Sequence, residues 1–170
     1  MESELGAGTI TTICLTFELP TEEQLAAHQH KDEILEQSLQ TLSEKRVLLA
    51  EDNDLNAEIV LTVLEENGIH AEHVKDGALC LKAVQNAPED YYNVILMDIQ
   101  MPILNGYDTT AKIRQMENPK KATTPIVAMT ANSFDEDIEM TQKAGMNGFI
   151  AKPLDAEKMF TILKQSIVEN

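Results

Sequence analysis

From Lys45 onward the sequence predicts an α/β fold: a doubly wound sheet of five parallel strands, order 2-1-3-4-5, with helices on both faces. Three observations predict it. Five short apolar runs alternate with stretches of helical periodicity, which favours parallel strands joined by covering helices. Right-handed crossovers then leave few topologies besides the doubly wound one. Finally, polar residues follow the apolar runs, as expected where ligands bind outside the carboxyl ends of parallel strands.

The first strand is RVLLAED, which ends on Glu51 and Asp52. In the helix that follows, NAEIVLTVLEENG, the residues Ile59, Val60, Val63 and Leu64 are expected on one buried face, with Gly68 just past the end as its cap. IHAEHVKD is the second strand and closes on Lys75 and Asp76. VILMDI is the third, and a charge directly after so apolar a run is costly to desolvate unless something compensates it. That charge is Asp98, after which Pro102 and the Asn105-Gly106 pair are expected to turn the chain sharply into the next helix. PIVAMTA carries the fourth strand to Thr130, and a helix is expected from about Phe134 to Lys143. GFIAKP is the fifth, reaching Lys152 and Pro153, and a last helix ends near Val168. With strand two at the edge, the ends bearing Glu51, Asp52, Asp98, Thr130 and Lys152 form one continuous rim.

Upstream the pattern differs. Residues 1–20 carry a Gly-x-Gly turn and then alternation, which puts Ile13, Leu15, Phe17 and Leu19 on one face of a strand. A lone strand of this kind needs a partner surface. Residues 21–44 read as an acidic, partly helical linker, with a capping box at Thr21 and Gln24 and apolar Ile34, Leu35, Leu39 and Leu42 at helical spacing. Nine acidic residues against one basic across residues 1–44 predict a solvated segment. The expected organisation is therefore 1–20, 21–44 and a main domain over 45–170.

Composition bounds the function. A chain of 170 residues at 43% hydrophobic can bury a core, and a net charge of −16 argues against binding a nucleic-acid backbone. Cys14 and Cys80 have neither metal-ligand nor redox spacing, so a reducing, cytoplasmic setting is expected. No stretch approaches a membrane span, so no direct membrane contact is expected, although a longer parent chain could be anchored.

The rim residues suit one reaction. Three clustered carboxylates repel unless a cation compensates them, and hard oxygen ligands with water completing the shell suit Mg²⁺. A carboxylate can act as nucleophile and form an acyl phosphate. Phosphoryl transfer needs its moving oxygens positioned and neutralised, a task open to a metal ion, the Lys152 ammonium and the Thr130 hydroxyl. Each residue alone is a weak signal, whereas their order along the chain is a strong one.

LLAEDNDLN, ILMDIQMPILNGYD, PIVAMTAN and GFIAKPLD resemble the receiver domain of two-component response regulators, over about residues 45–168. The resemblance implies a flavodoxin-like fold with Asp98 as phospho-acceptor and no cofactor besides Mg²⁺. Asp52 and Asp98 would ligate the ion directly, Gln100 through its backbone carbonyl and Glu51 mostly through water. Thr130 and Lys152 would contact the phosphoryl group. Phe149 occupies the family's switch-aromatic position, where a rotamer change accompanies the Thr130 shift; plain core packing is the alternative. Lys152–Pro153 is commonly cis in the family, and Gln100 and Asn132 sit where it tunes phosphoryl lifetime. Phosphorylation would shift the fourth strand, fourth helix and fifth strand between two arrangements. The donor would be phosphohistidine on a histidine kinase's dimerisation and phosphotransfer domain, or on a histidine phosphotransfer protein.

SELGAGT with the alternation after it is similar to the last turn and strand of a histidine kinase's ATP-binding domain, which implies the C-terminal part of a hybrid histidine kinase. The kinase's nucleotide-binding boxes and histidine helix are absent here, so this segment is no kinase and catalyses at most its own phosphoryl transfer and slow hydrolysis. His28 and His30 lack the kinase flanks and read as linker histidines. No DNA-binding domain is expected after the last helix, so output would pass to another protein.

Three rival readings fare worse. An aspartate-nucleophile phosphohydrolase needs a second aspartate where Gln100 stands. A nucleotide- or flavin-binding module needs a glycine-rich loop, and EDNDLN has no glycine. A non-phosphorylated scaffold would usually have lost one of the site residues, and this chain keeps them all.

Overall fold

The computed structural model describes residues 2–4, 8–10, 38–131 and 135–168. The chain divides into two compact units, Met1–Asp32 and Glu33–Asn170. In the first, β1 (Glu2–Glu4) pairs antiparallel with β2 (Gly8–Ile10). The expected strand through Ile13, Leu15, Phe17 and Leu19 lies outside the described residues, as do His28, His30, Ile34 and Leu35.

The second unit is built on five parallel strands: β3 (Arg46–Ala50), β4 (His70–Val74), β5 (Val94–Asp98), β6 (Ile126–Thr130) and β7 (Gly148–Ala151). Their order is β4-β3-β5-β6-β7, the expected 2-1-3-4-5. Side chains on a strand alternate between faces, and each central strand feeds two cores. Val47, Leu49, Leu96, Val127 and Met129 face one core, which is closed by α1 (Asp54–Glu66) and α6 (Ala156–Val168). Leu48, Ala50, Ile95, Met97, Ile126 and Ala128 face the other, under α2 (Gly77–Asn86) and α3 (Gly106–Arg114). Burial on both faces explains why β5 and β6 are apolar at almost every position rather than at alternate ones. The short α4 (Pro119–Ala122) precedes β6, and α5 (Asp135–Lys143) precedes β7.

Three local expectations are refined. Ile59 is not on the buried face of α1: it is 50% exposed, and Ala57, Val60 and Leu64 form the buried seam. Asn105-Gly106 is not itself the sharp turn. The reversal occurs at Pro102–Leu104, where Ile103 has φ +68° and Leu104 N–H donates to Pro102 O at 2.7 Å. Asn105 instead caps α3, accepting from Asp108 N–H at 2.8 Å. Finally, residues 38–42 are helical, and Leu42 is fully buried in the first core with Leu39 packed against it. Gly68, with φ +72°, follows α1 in the left-handed conformation expected of a helix-ending glycine.

Candidate functional site

The rim of the sheet brings the predicted residues together. Glu51 directly follows β3 and is 1% exposed, while Asp52 beside it faces solvent. Asp98 is the last residue of the buried β5, so the hydrophobic run that makes the strand also carries its carboxylate to the sheet edge. Thr130 ends β6 and is buried. Lys152 follows β7, with its N–H donating to Thr130 O at 2.7 Å, and the Lys152–Pro153 bond is cis.

The Lys152 ammonium joins the acids. It donates to Asp98 Oδ2 at 2.8 Å and to Glu51 Oε2 at 2.7 Å. Burial opposes its charge, but the hydrogen bonds and charges of Asp98 and Glu51 outweigh that and raise its proton affinity above an ordinary lysine's. Gln100 N–H donates to Asp98 Oδ1 at 3.1 Å, so each oxygen of Asp98 meets one protein donor.

A cavity of about 420 Å³ opens over these groups, lined among others by Asp52, Asp98, Gln100, Thr130 and Lys152. One oxygen each from Glu51, Asp52 and Asp98 lies within 4.8 Å of the others. Such a set of hard oxygen donors fits a small divalent cation, which would relieve their mutual repulsion. Of the residues expected at the site, only Asn132 lies outside those described. Phe149 sits apart from the acids, half-buried on β7 and packed against the second core.

Two residues were missed in the sequence. Asn56, in the first turn of α1, donates from Nδ2 to Glu51 Oε1 at 2.8 Å and lines the cavity. His73, on the edge strand β4, donates from Nε2 to Glu51 O at 2.8 Å. An amide one helical turn beyond an acidic pair was a usable signal for Asn56. Nothing local marks His73, because the pairing of β3 with β4 brings it there.

A model of the response regulator receiver domain matches residues 47–164. Hybrid signal transduction histidine kinase I of Dictyostelium discoideum is 33% identical over 125 residues, 72% of this chain and 7% of that protein. Sensor histidine kinase GacS of Pseudomonas protegens is 32% identical over 127 residues, 73% of this chain and 14% of that protein. The chain thus spans a small fraction of the curated relatives it matches. Among solved structures, the receiver domain of a sensor histidine kinase from Pseudomonas aeruginosa PAO1 superposes with a TM-score of 0.66 at 34% identity, covering 74% of this chain and 99% of that one. That crystal structure has a magnesium ion coordinated in its active-site cleft. Strand order, rim and matched sequence agree, and the chain belongs to the response regulator receiver domain family of two-component signalling.

Proposed function

We propose that this chain is a phospho-accepting receiver in a phosphorelay, with Asp98 taking a phosphoryl group from a phosphohistidine. The observation that carries the reading is the meeting of Asp98 with Lys152 at 2.8 Å, inside an acidic cluster at the mouth of the sheet. A carboxylate oxygen of Asp98 attacks phosphorus; the P–O bond forms as the P–N bond breaks, and the imidazole departs with the electron pair. Asp52, Asp98 and the Gln100 carbonyl are the direct ligands proposed for Mg²⁺, and Glu51 a ligand through water. Bound there, the ion would neutralise negative charge on the phosphoryl oxygens. Lys152 then exchanges its contacts with the carboxylates for a phosphoryl oxygen, and the Thr130 hydroxyl holds another. Attack of water on phosphorus later releases inorganic phosphate and restores the Asp98 carboxylate.

Placement supports a switch that couples Thr130 to Phe149. Lys152 N–H is tied to Thr130 O, and Phe149 lies on the same edge strand, so a shift of Thr130 toward a phosphoryl group pulls on β6 and β7 together. The face made by β6, α5 and β7 is the proposed output surface. A relative that is a hybrid histidine kinase, and another that is a sensor histidine kinase, support a parent of the hybrid kind. Within it, residues 1–20 would be the last strand of an ATP-binding domain, residues 21–44 a linker and residues 45–170 the receiver. Its phosphodonor would be the histidine of a kinase or of a phosphotransfer protein.

The test is phosphorylation by acetyl phosphate with Mg²⁺, followed by intact mass. We expect one phosphoryl group on the wild type and none on Asp98→Asn or in excess EDTA. Failure to gain mass, together with failure to bind beryllofluoride, would overturn the reading.

A further inference from the structure

Glu51 is held at every polar atom it has. Its N–H donates to Val74 O at 3.1 Å, and its carbonyl accepts from His73 Nε2 at 2.8 Å. Its Oε2 accepts from Lys152 at 2.7 Å and its Oε1 from Asn56 Nδ2 at 2.8 Å. Two of these contacts come from the edge strand β4 and a third from Lys152, just past the end of β7. The fourth, from Asn56, is the only one that a neutral side chain among the described residues makes to the carboxylate.

We propose that Asn56 is a positioning residue for the acidic cluster, fixing the Glu51 carboxylate so that the cluster can take up a divalent cation. This rests on the reading above that the cluster holds Mg²⁺. Asn56 stands on a rigid base, because its own N–H donates to Asn53 Oδ1 at 3.1 Å in the cap of α1. Its side-chain amide satisfies Oε1 without adding a positive charge to the cluster. A lysine or arginine here would neutralise the cluster, and an apolar residue would leave a buried oxygen bare. When Lys152 leaves Glu51 for a phosphoryl oxygen, Asn56 is the side chain that still fixes the orientation of the carboxylate. Groups that orient metal-site carboxylates in this way typically change metal affinity 10- to 100-fold when removed.

Calorimetric titration of the whole chain with Mg²⁺ alone tests this, without any phosphodonor. We expect Asn56→Leu to bind Mg²⁺ about tenfold more weakly than wild type. In a Glu51→Gln background the same substitution should change affinity less than about twofold, because its route of action is gone. If Asn56→Leu does not fold, Asn56→Ser, too short to reach Glu51, replaces it. As a readout free of metal, the Asn56 side-chain amide resonances should shift when Glu51→Gln is introduced in EDTA. Mg²⁺ affinity within about twofold of wild type in the single variant overturns the proposal, as does an undiminished effect in the Glu51→Gln background. A wild type that takes up no Mg²⁺ overturns the site reading itself, and the proposal with it.

Discussion

Ile103 sits five residues beyond Asp98, 83% exposed, in a left-handed conformation that β-branched side chains rarely adopt. The three-residue turn it centres is closed by the Leu104–Pro102 hydrogen bond. Glycine there would remove a backbone penalty of ~1–2 kcal/mol while adding ~0.5–1 kcal/mol of unfolded-chain entropy. Ile103→Gly should therefore stabilise the fold by up to about 1 kcal/mol. Urea denaturation reads this directly, and a lower midpoint would contradict it. Gly106 gives the opposite case at the next helix. A Cβ there would lie 2.5 Å from Asp98 O and 3.0 Å from Ile99 Cα, both backbone atoms that cannot easily move. Helix propensity alone favours alanine by ~1 kcal/mol, yet the clash should win and Gly106→Ala should destabilise by ~1–3 kcal/mol. A more stable Gly106→Ala protein would show that the close approach of α3 to the end of β5 is unimportant.

At the scale of elements, Arg114 ties four segments together from the last turn of α3. Its Nη1 donates to Ala122 O and Thr124 O, its Nε to Gly145 O, and its Nη2 to Asn147 Oδ1, all at 2.7–2.9 Å. Asn147 Oδ1 in turn accepts from Ile126 N–H at 3.0 Å. The guanidinium thus anchors α4, the start of β6 and the loop before β7 at the end of the sheet away from Asp98. A lysine has one ammonium and cannot reproduce the fork. Arg114→Lys should cost ~2–3 kcal/mol, with amide exchange rising most at residues 145–147. Uniformly unchanged exchange at those amides would refute the anchoring role. The seam of α1 belongs to this scale too. Exposed Ile59 and buried Ala57 differ from the periodicity read in the sequence because the packing partner fixes the helix's rotation about its axis.

At the scale of the whole molecule, Cys80, Tyr92 and Lys152 are among the described groups that bind their protons more tightly in the fold than in the open chain. Burial, then the charge of Asp76, pushes the Cys80 thiol up from 9.0 to about 12. Burial and the hydrogen bond to Glu72 raise Tyr92, and Asp98 with Glu51 outweigh burial to raise Lys152. A raised pKa means the stabilisation is complete below the unfolded value and is lost as pH climbs through the folded one. All three act in the same direction, so stability should fall from about pH 9 upward, led by the thiol. Denaturant midpoints in EDTA should decline from about pH 9 to about pH 10.5, and Cys80→Ala should flatten the start of that decline. A level profile would contradict the prediction.

Much of this was legible in the chain itself. Runs such as VILMD and IVAMT are apolar at nearly every position, and only a strand covered on both faces needs that, so the doubly covered parallel sheet could be read directly, while its order came with the doubly wound fold. Polar residues placed at the ends of those runs gave Glu51, Asp52, Asp98, Thr130 and Lys152, since a strand's end fixes its side chain at the rim. The tertiary structure decided what depends on distance across the sheet: Lys152 reaching both Glu51 and Asp98, and His73 and Asn56 closing on Glu51. Local sequence specifies which groups a strand or helix presents. Pairing, helix rotation and the direction of a side chain are set by the packing of segments far apart in the chain, where hydrogen bonds of about 3 Å are decided.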